Sequence, residues 1–412
     1  MKNFRIIKTC RLCKSKNLKV SFDLGKTYLC DHYVKKKQKQ PKFPLRLNLC
    51  KSCGFSQIDA VVDKNYIYKD YIYETKSSLT LKKHFKNYAN KVCAKIRLSK
   101  SDLVLDIGSN DGTLLKFFKK RKCKVLGIEP ASKIAKRATL KGIKTLPLFF
   151  DNSAIKKVID LHQKPKIITL NNLFANVDDL KSLLKNMKKI LSSDGTIVIE
   201  SSYLGLILKN NIFDWIYHEH LSYFSIMPML KFFKKYGFIL YDLEKSNSKG
   251  GSYRYYFTLA SNKNKISKIV TNAIKYEKVN SINSLKGFIK FKKRIDNEKI
   301  KIIDYLKNKN YKNIVGFGAS ATSTTLISYF GLNKYLNFLV DDNPDKIRTF
   351  SPGFHIPVHK TNFLKQKNNN IIILLAWRYK DIILKKLKII KKKKRKKFIV
   401  LCPLPKFKII YV

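Results

Sequence analysis

From residue 103 onward, short apolar runs of strand length alternate with amphipathic helical stretches, and that alternation leaves few folds open. The runs fall at 103–107, 124–128, 167–170, 196–200, 238–243 and 253–259. Such a series predicts a sheet of parallel type with helices on both faces. A charged helical stretch follows over 263–308. A second series of runs at 314–316, 338–341, 371–376 and 398–401 predicts another, smaller α/β unit. The first 70 residues have little helical periodicity. A chain of 412 residues exceeds one ordinary domain, and the composition shifts set the boundaries at 1–70, 71–262 and 263–412.

The first of these segments carries two cysteine pairs, Cys10 and Cys13 in "CRLC" and Cys50 and Cys53 in "CKSCG". Each pair can put two thiolates on one metal through a tight turn, and two pairs close a tetrahedral four-sulfur site suited to Zn²⁺. Four thiolates leave no open coordination position, so the expected role is structural. The other cysteines (Cys30, Cys93, Cys123 and Cys402) are scattered and build no disulfide ladder. The opening "MKNFRIIKTC" lacks the continuous apolar stretch of a secretory leader, and no apolar run reaches bilayer length. A reducing cytoplasm is the expected setting, with no membrane partner.

The run at 103–107 ends in Asp106 and opens into "GSNDG", with Gly108, Asn110, Asp111 and Gly112. Glycine lets the backbone approach a ligand closely. The spacing is neither the dinucleotide fingerprint nor a phosphate-gripping loop with its lysine. One strand later, "VLGIEPA" puts Glu129 at a strand's carboxyl end, where a carboxylate can accept from both hydroxyls of a ribose. A sulfonium replaces the pyrophosphate in S-adenosylmethionine, which suits acidic and amide groups in the turn. "FFDNS", with Phe150 and Asp151, is placed to flank the adenine. "NNLFANVDDL", with Asn172, is placed to border the methyl donor.

The charge is extreme, 86 basic against 28 acidic residues for a net +58. Most of the excess is lysine spread along the whole length, with asparagine and isoleucine also abundant. This reads as a compositional bias with solvated lysines on polar faces, and no nucleic-acid partner is expected. The field still favours anionic small substrates such as nucleotide diphosphates. The densest block, "KKKKRKK" at 391–397, precedes an apolar run and reads as a loop or a helix end.

"FDWIYHEHLSYFS" at 213–225 gathers rare side chains of this chain, two of its seven histidines among them. Together with the cysteine pairs, "DIGSNDGTLL", "GIEPA", "GGSYRYYF", "GFGASATSTTLISYFGL", "DDNPDK", "SPGFHIPV" and "LAWRY", it resembles the S-adenosylmethionine-dependent sugar C-methyltransferase family over almost the whole chain. The resemblance implies a zinc-binding N-terminal domain, a class I methyltransferase core with a Rossmann-like fold, and a C-terminal Rossmann-like α/β domain. It implies methylation of a carbon beside the ketone of a nucleotide-linked deoxysugar, for surface polysaccharide or a secondary metabolite, by a monomer or homodimer. It makes His220 the base, with Glu219 and Tyr217 as partners and His218 as the other histidine at hand. It sets Ser252 and Arg254 toward substrate, where an arginine suits a diphosphate. It also sets Gly316, Gly318, Ala319 and Asp342 at a turn for the nucleotide diphosphate.

The chain departs from the family pattern at Asn176, where many relatives carry a histidine; an amide cannot act as a base at neutral pH. "GASATSTT" departs from a form with Lys and Gly after the Gly-Ala. A tyrosine of "YIYKDYIYE" lines the substrate in the family, and Tyr71 and Tyr73 both qualify. Competing readings are methylation of oxygen on a sugar or another acceptor, methylation of RNA, and a sugar-nucleotide-binding protein that has lost its chemistry. The even lysine spread and the His-Glu-His segment weigh against RNA.

Overall fold

The computed structural model describes residues 3–63, 66–67, 79–246, 251–308, 313–366, 371–394 and 397–412. Tyr71 and Tyr73 lie outside the described residues.

The N-terminal segment is built of strands. β1 (Phe4–Ile6) pairs with β5 (Ala60–Val62), and β2 (Leu18–Tyr28), β3 (Lys42–Cys50) and β4 (Ser56–Ile58) form an antiparallel sheet. The central sheet holds β6 (Leu103–Ile107), β7 (Lys124–Ile128), β8 (Thr145–Leu146), β9 (Ile167–Asn171), β10 (Thr196–Ser202), β12 (Phe238–Ser246) and β13 (Ser252–Leu259), in the order β12-β13-β10-β9-β6-β7-β8. The expected parallel sheet is present with one exception. β13 inserts antiparallel between β10 and β12. The strand order also reverses beside β6, so the carboxyl ends of β6 and β9 flank a crevice, the place where open α/β sheets bind ligands.

The remaining two-residue strand, β11 (Ser222–Tyr223), belongs to a different sheet. It pairs with β4, Ser222 opposite Gln57 and Tyr223 opposite Ser56. The segment that carries His220 is thus tied to the cysteine-bearing sheet, and Phe224 bridges Tyr203 just beyond the end of β10.

The helical stretch over 263–308 is two helices, Lys268–Val279 and Leu285–Lys307. Glu277, fully buried, accepts from the Ile226 and Met227 amides at 2.5 and 3.0 Å, which satisfies the first turn of helix Ile226–Lys235. The C-terminal sheet runs β16 (Val358–Lys360), β15 (Leu336–Asp341), β14 (Ile314–Phe317), β17 (Ile371–Leu374), β18 (Ile399–Cys402) and β19 (Lys408–Tyr411), parallel except for β19. β17 stops two residues short of the expected run, because Ala376 turns to hydrogen-bond Phe317.

One apolar core joins these parts. Phe22 of β2 packs on Phe213 of the histidine segment and on Phe291 and Tyr329 of the C-terminal part, with ring centroids 5.2–6.4 Å apart. Burial of such rings stabilises by roughly 1.5–3 kcal/mol each. The histidine segment is therefore held from both sides. Among the described residues no helix is long and apolar enough to cross a membrane.

Candidate active site

The four cysteines come together as expected. Their sulfurs lie within 4.8 Å of one another, with Cys10–Cys53 and Cys13–Cys50 at 3.6 Å. Both knuckles use one turn geometry. The amide of Lys14 bonds back to the Cys10 carbonyl, that of Gly54 bonds back to the Cys50 carbonyl, and both residues have positive φ. The donor set and the convergence of four sulfurs fit a tetrahedral ion. The hydrogen bond from Cys53 lowers the Cys10 thiol, in the direction of the thiolate that a metal ligand needs.

At the end of β6 the turn is built as its glycines suggest. Gly108 has φ +71°, and a Cβ there would sit 2.9 Å from Leu173. Glu129 accepts from the Asn110 amide at 3.0 Å and the Ala131 amide at 2.9 Å, one on each oxygen. These bonds fix the carboxylate and leave its remaining lone pairs for a ligand. Asp106 is buried and accepts from Thr169 at 2.6 Å and Asn171 at 3.4 Å; burial pushes its carboxyl up to about 7. The Asn171 Oδ1 beside it is buried without a hydrogen-bond partner among the described residues. Such an orphaned acceptor beside an acid, at the mouth of a crevice, fits a cationic, amine-bearing ligand.

Asp111 holds Thr113 at the start of helix α2 (Thr113–Lys120). Phe150 is half-buried against the core. Asp151 spends one oxygen as the N-cap of helix Asn152–Ile159. Asn172, with φ +56°, hydrogen-bonds Glu200 through its amide, and Asn176 closes a short 3-10 turn after it.

In the histidine segment the Tyr217 hydroxyl lies 3.0 Å from His220 Nε2, and His220 Nδ1 lies 3.1 Å from the Trp215 carbonyl. A carbonyl can only accept, so in the neutral ring Nδ1 carries the hydrogen and Nε2 is the basic nitrogen. Burial, and then the nearby Glu219 carboxylate, push the Tyr217 phenol well above its ordinary value. The phenol therefore stays neutral and donates to Nε2. Tyr223 braces the loop from below, its hydroxyl 3.2 Å from the Tyr217 amide and 3.4 Å from the Trp215 carbonyl.

Three sequence expectations meet a different geometry. His218 is sealed in, with Nε2 3.1 Å from the Pro44 carbonyl, and burial lowers its pKa to about 4; it faces β3, not a cavity. Arg254 is not turned to a diphosphate. It is buried, makes two bonds to Glu200 at 2.8 and 3.2 Å and one to Glu244 at 2.8 Å, and stacks over Tyr88. Ser252 is likewise buried within the sheet, between Ser202 and Ser246. In the C-terminal turn Gly316 and Gly318 pack against neighbouring side chains, and Asp341 rather than Asp342 holds it: Asp341 Oδ2 accepts from the Ala319 amide at 2.7 Å. Asp342 points outward to Lys386 at 2.5 Å.

Other residues take places that no local motif announced. Buried Asp214 accepts from Trp377 Nε1 and from Arg378 Nη1, each at 3.0 Å, and the Arg378 guanidinium lies over the Trp215 and Trp377 rings. This joins "FDW" to "LAWRY" across 164 positions. A cavity of about 1460 Å³ opens between helix α1 (Leu79–Ile96), the Trp215–Tyr217 stretch and the start of helix α3 (Ala321–Phe330). Tyr217, Trp377, Arg378 and Ser320 line it, and so does His84 of α1.

Three family models match the chain in order. They are a zinc binding domain over 10–68, a methyltransferase domain over 83–243 and a C-methyltransferase C-terminal domain over 247–403. C-methyltransferase NovU of Streptomyces niveus is 25% identical over 408 residues, 98% of this chain and 97% of NovU. The chain is thus similar to the C-methyltransferases along all three segments, and it is an S-adenosylmethionine-dependent methyltransferase. Solved structures align more distantly with this methyltransferase. An S-adenosylmethionine-dependent methyltransferase from Clostridium acetobutylicum ATCC 824 is 13% identical, covering 47% of this chain and 95% of its own, with a TM-score of 0.34. The plantazolicin methyltransferase BpumL is 13% identical, covering 42% and 82%, also with a TM-score of 0.34.

Proposed function

We propose that this methyltransferase puts a methyl group on the carbon beside the ketone of a nucleotide-linked keto-deoxysugar. The observation that carries the reading is the His220 geometry. A backbone carbonyl fixes the tautomer, and a neutral tyrosine that lines the large cavity sits on the basic nitrogen. Carbon beside a ketone becomes nucleophilic only after it loses a proton, and an imidazole is suited to take it near neutrality. S-adenosylmethionine, held by Glu129 and the Gly108 turn beside Asp106 and Asn171, supplies the electrophilic methyl. His220 takes the α proton on Nε2, and Tyr217 shifts its hydrogen bond or relays the proton. Glu219 sets the local charge.

The nucleotide end is assigned to the far wall of the same cavity. Arg378, Lys209, Lys380 and Lys406 border it, and the start of α3 offers the Ser320 and Thr322 hydroxyls. That is a setting for a diphosphate. Arg254 has no part in it, being committed to its carboxylates.

The test is incubation of the protein with dTDP-4-keto-6-deoxyglucose in D2O, with and without S-adenosylmethionine. The reading expects deuterium uptake at the carbon beside the ketone, dependent on His220, and a methyl gained on carbon. Methyl gained on oxygen, or neither change while S-adenosylhomocysteine still binds, would overturn it.

A further inference from the structure

The cavity is lined by an imidazole that the mechanism above leaves unused. His84 of α1 has Nε2 2.6 Å from Glu200 Oε1. Glu200 stands at the carboxyl end of β10 with none of its side chain exposed. His84 shares this carboxylate with Arg254. Arg254 bridges Glu200 and Glu244, and Lys91 pairs with Glu244, so two carboxylates face two permanent cations. A buried carboxylate at 2.6 Å orients the ring and can stand against its charge when it is protonated. It fixes the hydrogen of the ring on Nε2 and turns the other edge outward. His84 Nδ1 has no hydrogen-bond partner among the described residues, is not sealed in, and belongs to a residue lining the cavity that Tyr217 also lines.

We propose that His84, oriented by Glu200, is a second proton-handling residue: in its imidazolium form it donates Nδ1–H to the ketone oxygen of the acceptor while His220 takes the neighbouring proton. This rests on the function proposed above. As the C–H bond breaks, its proton goes to His220 Nε2. The electron pair becomes the C=C bond, and the carbonyl π pair moves onto oxygen. That oxygen accepts the hydrogen bond from His84 without taking the proton. The Glu200 carboxylate offsets the imidazolium charge in the buried pair, and a donor aimed at a developing oxyanion lowers the barrier to enolisation. When the carbonyl re-forms on methylation of carbon, His84 keeps its proton and the one released remains on His220.

The test uses the full chain with dTDP-4-keto-6-deoxyglucose in D2O, first without S-adenosylmethionine. His84→Ala is expected to slow α-deuterium uptake, and methyl transfer when the donor is added, by about 100- to 1000-fold. S-adenosylhomocysteine binding should be unchanged, and added imidazole should restore part of the exchange. A merely structural histidine would show no such rescue. If His84→Ala fails to bind S-adenosylhomocysteine, His84→Gln, which can keep the bond to Glu200, takes its place with the same expectation. Exchange at the wild-type rate in the folded variant overturns the role of His84 and leaves the proposed function standing. A wild type that exchanges and methylates nothing overturns both.

Discussion

Tyr223 lies opposite Ser56, so the strand that closes the histidine loop is a strand of the cysteine-bearing sheet. Ser56 stands three residues after Cys53, and the Tyr223 hydroxyl holds the Tyr217 amide and the Trp215 carbonyl. A metal bound by the four cysteines would therefore fix the base from a distance, through β4 and β11. Structural zinc contributes roughly 10–16 kcal/mol of apparent binding free energy, comparable to a whole domain's stability. Chelation, or Cys50→Ser, is expected to lower the melting temperature, release one zinc per chain by elemental analysis, and abolish α-proton exchange. Full activity in metal-free protein would remove this link.

His220→Asn is expected to cut deuterium exchange and methyl transfer by about 10²–10⁴-fold, the usual worth of a positioned base. Tyr217→Phe removes one hydrogen bond from the same nitrogen and is expected to cost about tenfold. Rapid quench with dTDP-4-keto-6-deoxyglucose separates the two. Equal losses in both variants would mean that the imidazole cannot take the proton without the phenol, and would overturn His220 as a base acting by itself.

Much of this was legible in the sequence. The apolar runs at 103–107 and 124–128 became β6 and β7 without change, because buried parallel strands leave a continuous apolar signature. The two CxxC pairs announced their convergence, since each is a local turn. What the sequence hid was pairing at a distance. β11 is two residues long, too short for any period, and its partner lies more than 160 positions upstream. Arg254 reads as a free cation until Glu200 and Glu244 arrive from two other strands. His84 and Glu200 are 116 positions apart, and His84 sits in an ordinary lysine-rich amphipathic pattern. Asp341 and Asp342 are adjacent and chemically equal; the strand's alternation of faces decided which one meets the Ala319 amide.

His218 separates structure from chemistry by its pH behaviour. Burial holds the folded ring neutral, with a pKa of about 4 against an ordinary 6.5. The depressed value means the unfolded chain binds the proton first. The stabilising contribution is complete above pH 6.5 and is lost as pH falls toward 4. Each tenfold change in protonation is worth about 1.4 kcal/mol, so the loss approaches about 3 kcal/mol. His218→Gln is expected to flatten the fall in melting temperature between pH 6.5 and 4 while keeping methyl transfer at neutral pH. A folded His218→Gln without activity would make His218 a candidate base again.

Arg378 carries the final prediction, because its two duties can be pulled apart. One Nη1 bond goes to buried Asp214, and the rest of the fork lines the cavity. Arg378→Ala leaves the Asp214 carboxylate without its cation, and breaking a buried pair costs about 3–5 kcal/mol, so that variant tests stability more than binding. Arg378→Lys keeps a positive charge for Asp214 but loses the planar stack on Trp215 and Trp377 and the bidentate reach toward a diphosphate. It is expected to fold with a melting temperature near that of the wild type. The KM for the nucleotide sugar should rise about 10- to 100-fold, the worth of one charged hydrogen bond, with kcat little changed. Calorimetry with dTDP alone should show the same loss, since the contact is to the nucleotide part. An unchanged KM and dTDP affinity in Arg378→Lys would move the diphosphate away from this wall of the cavity.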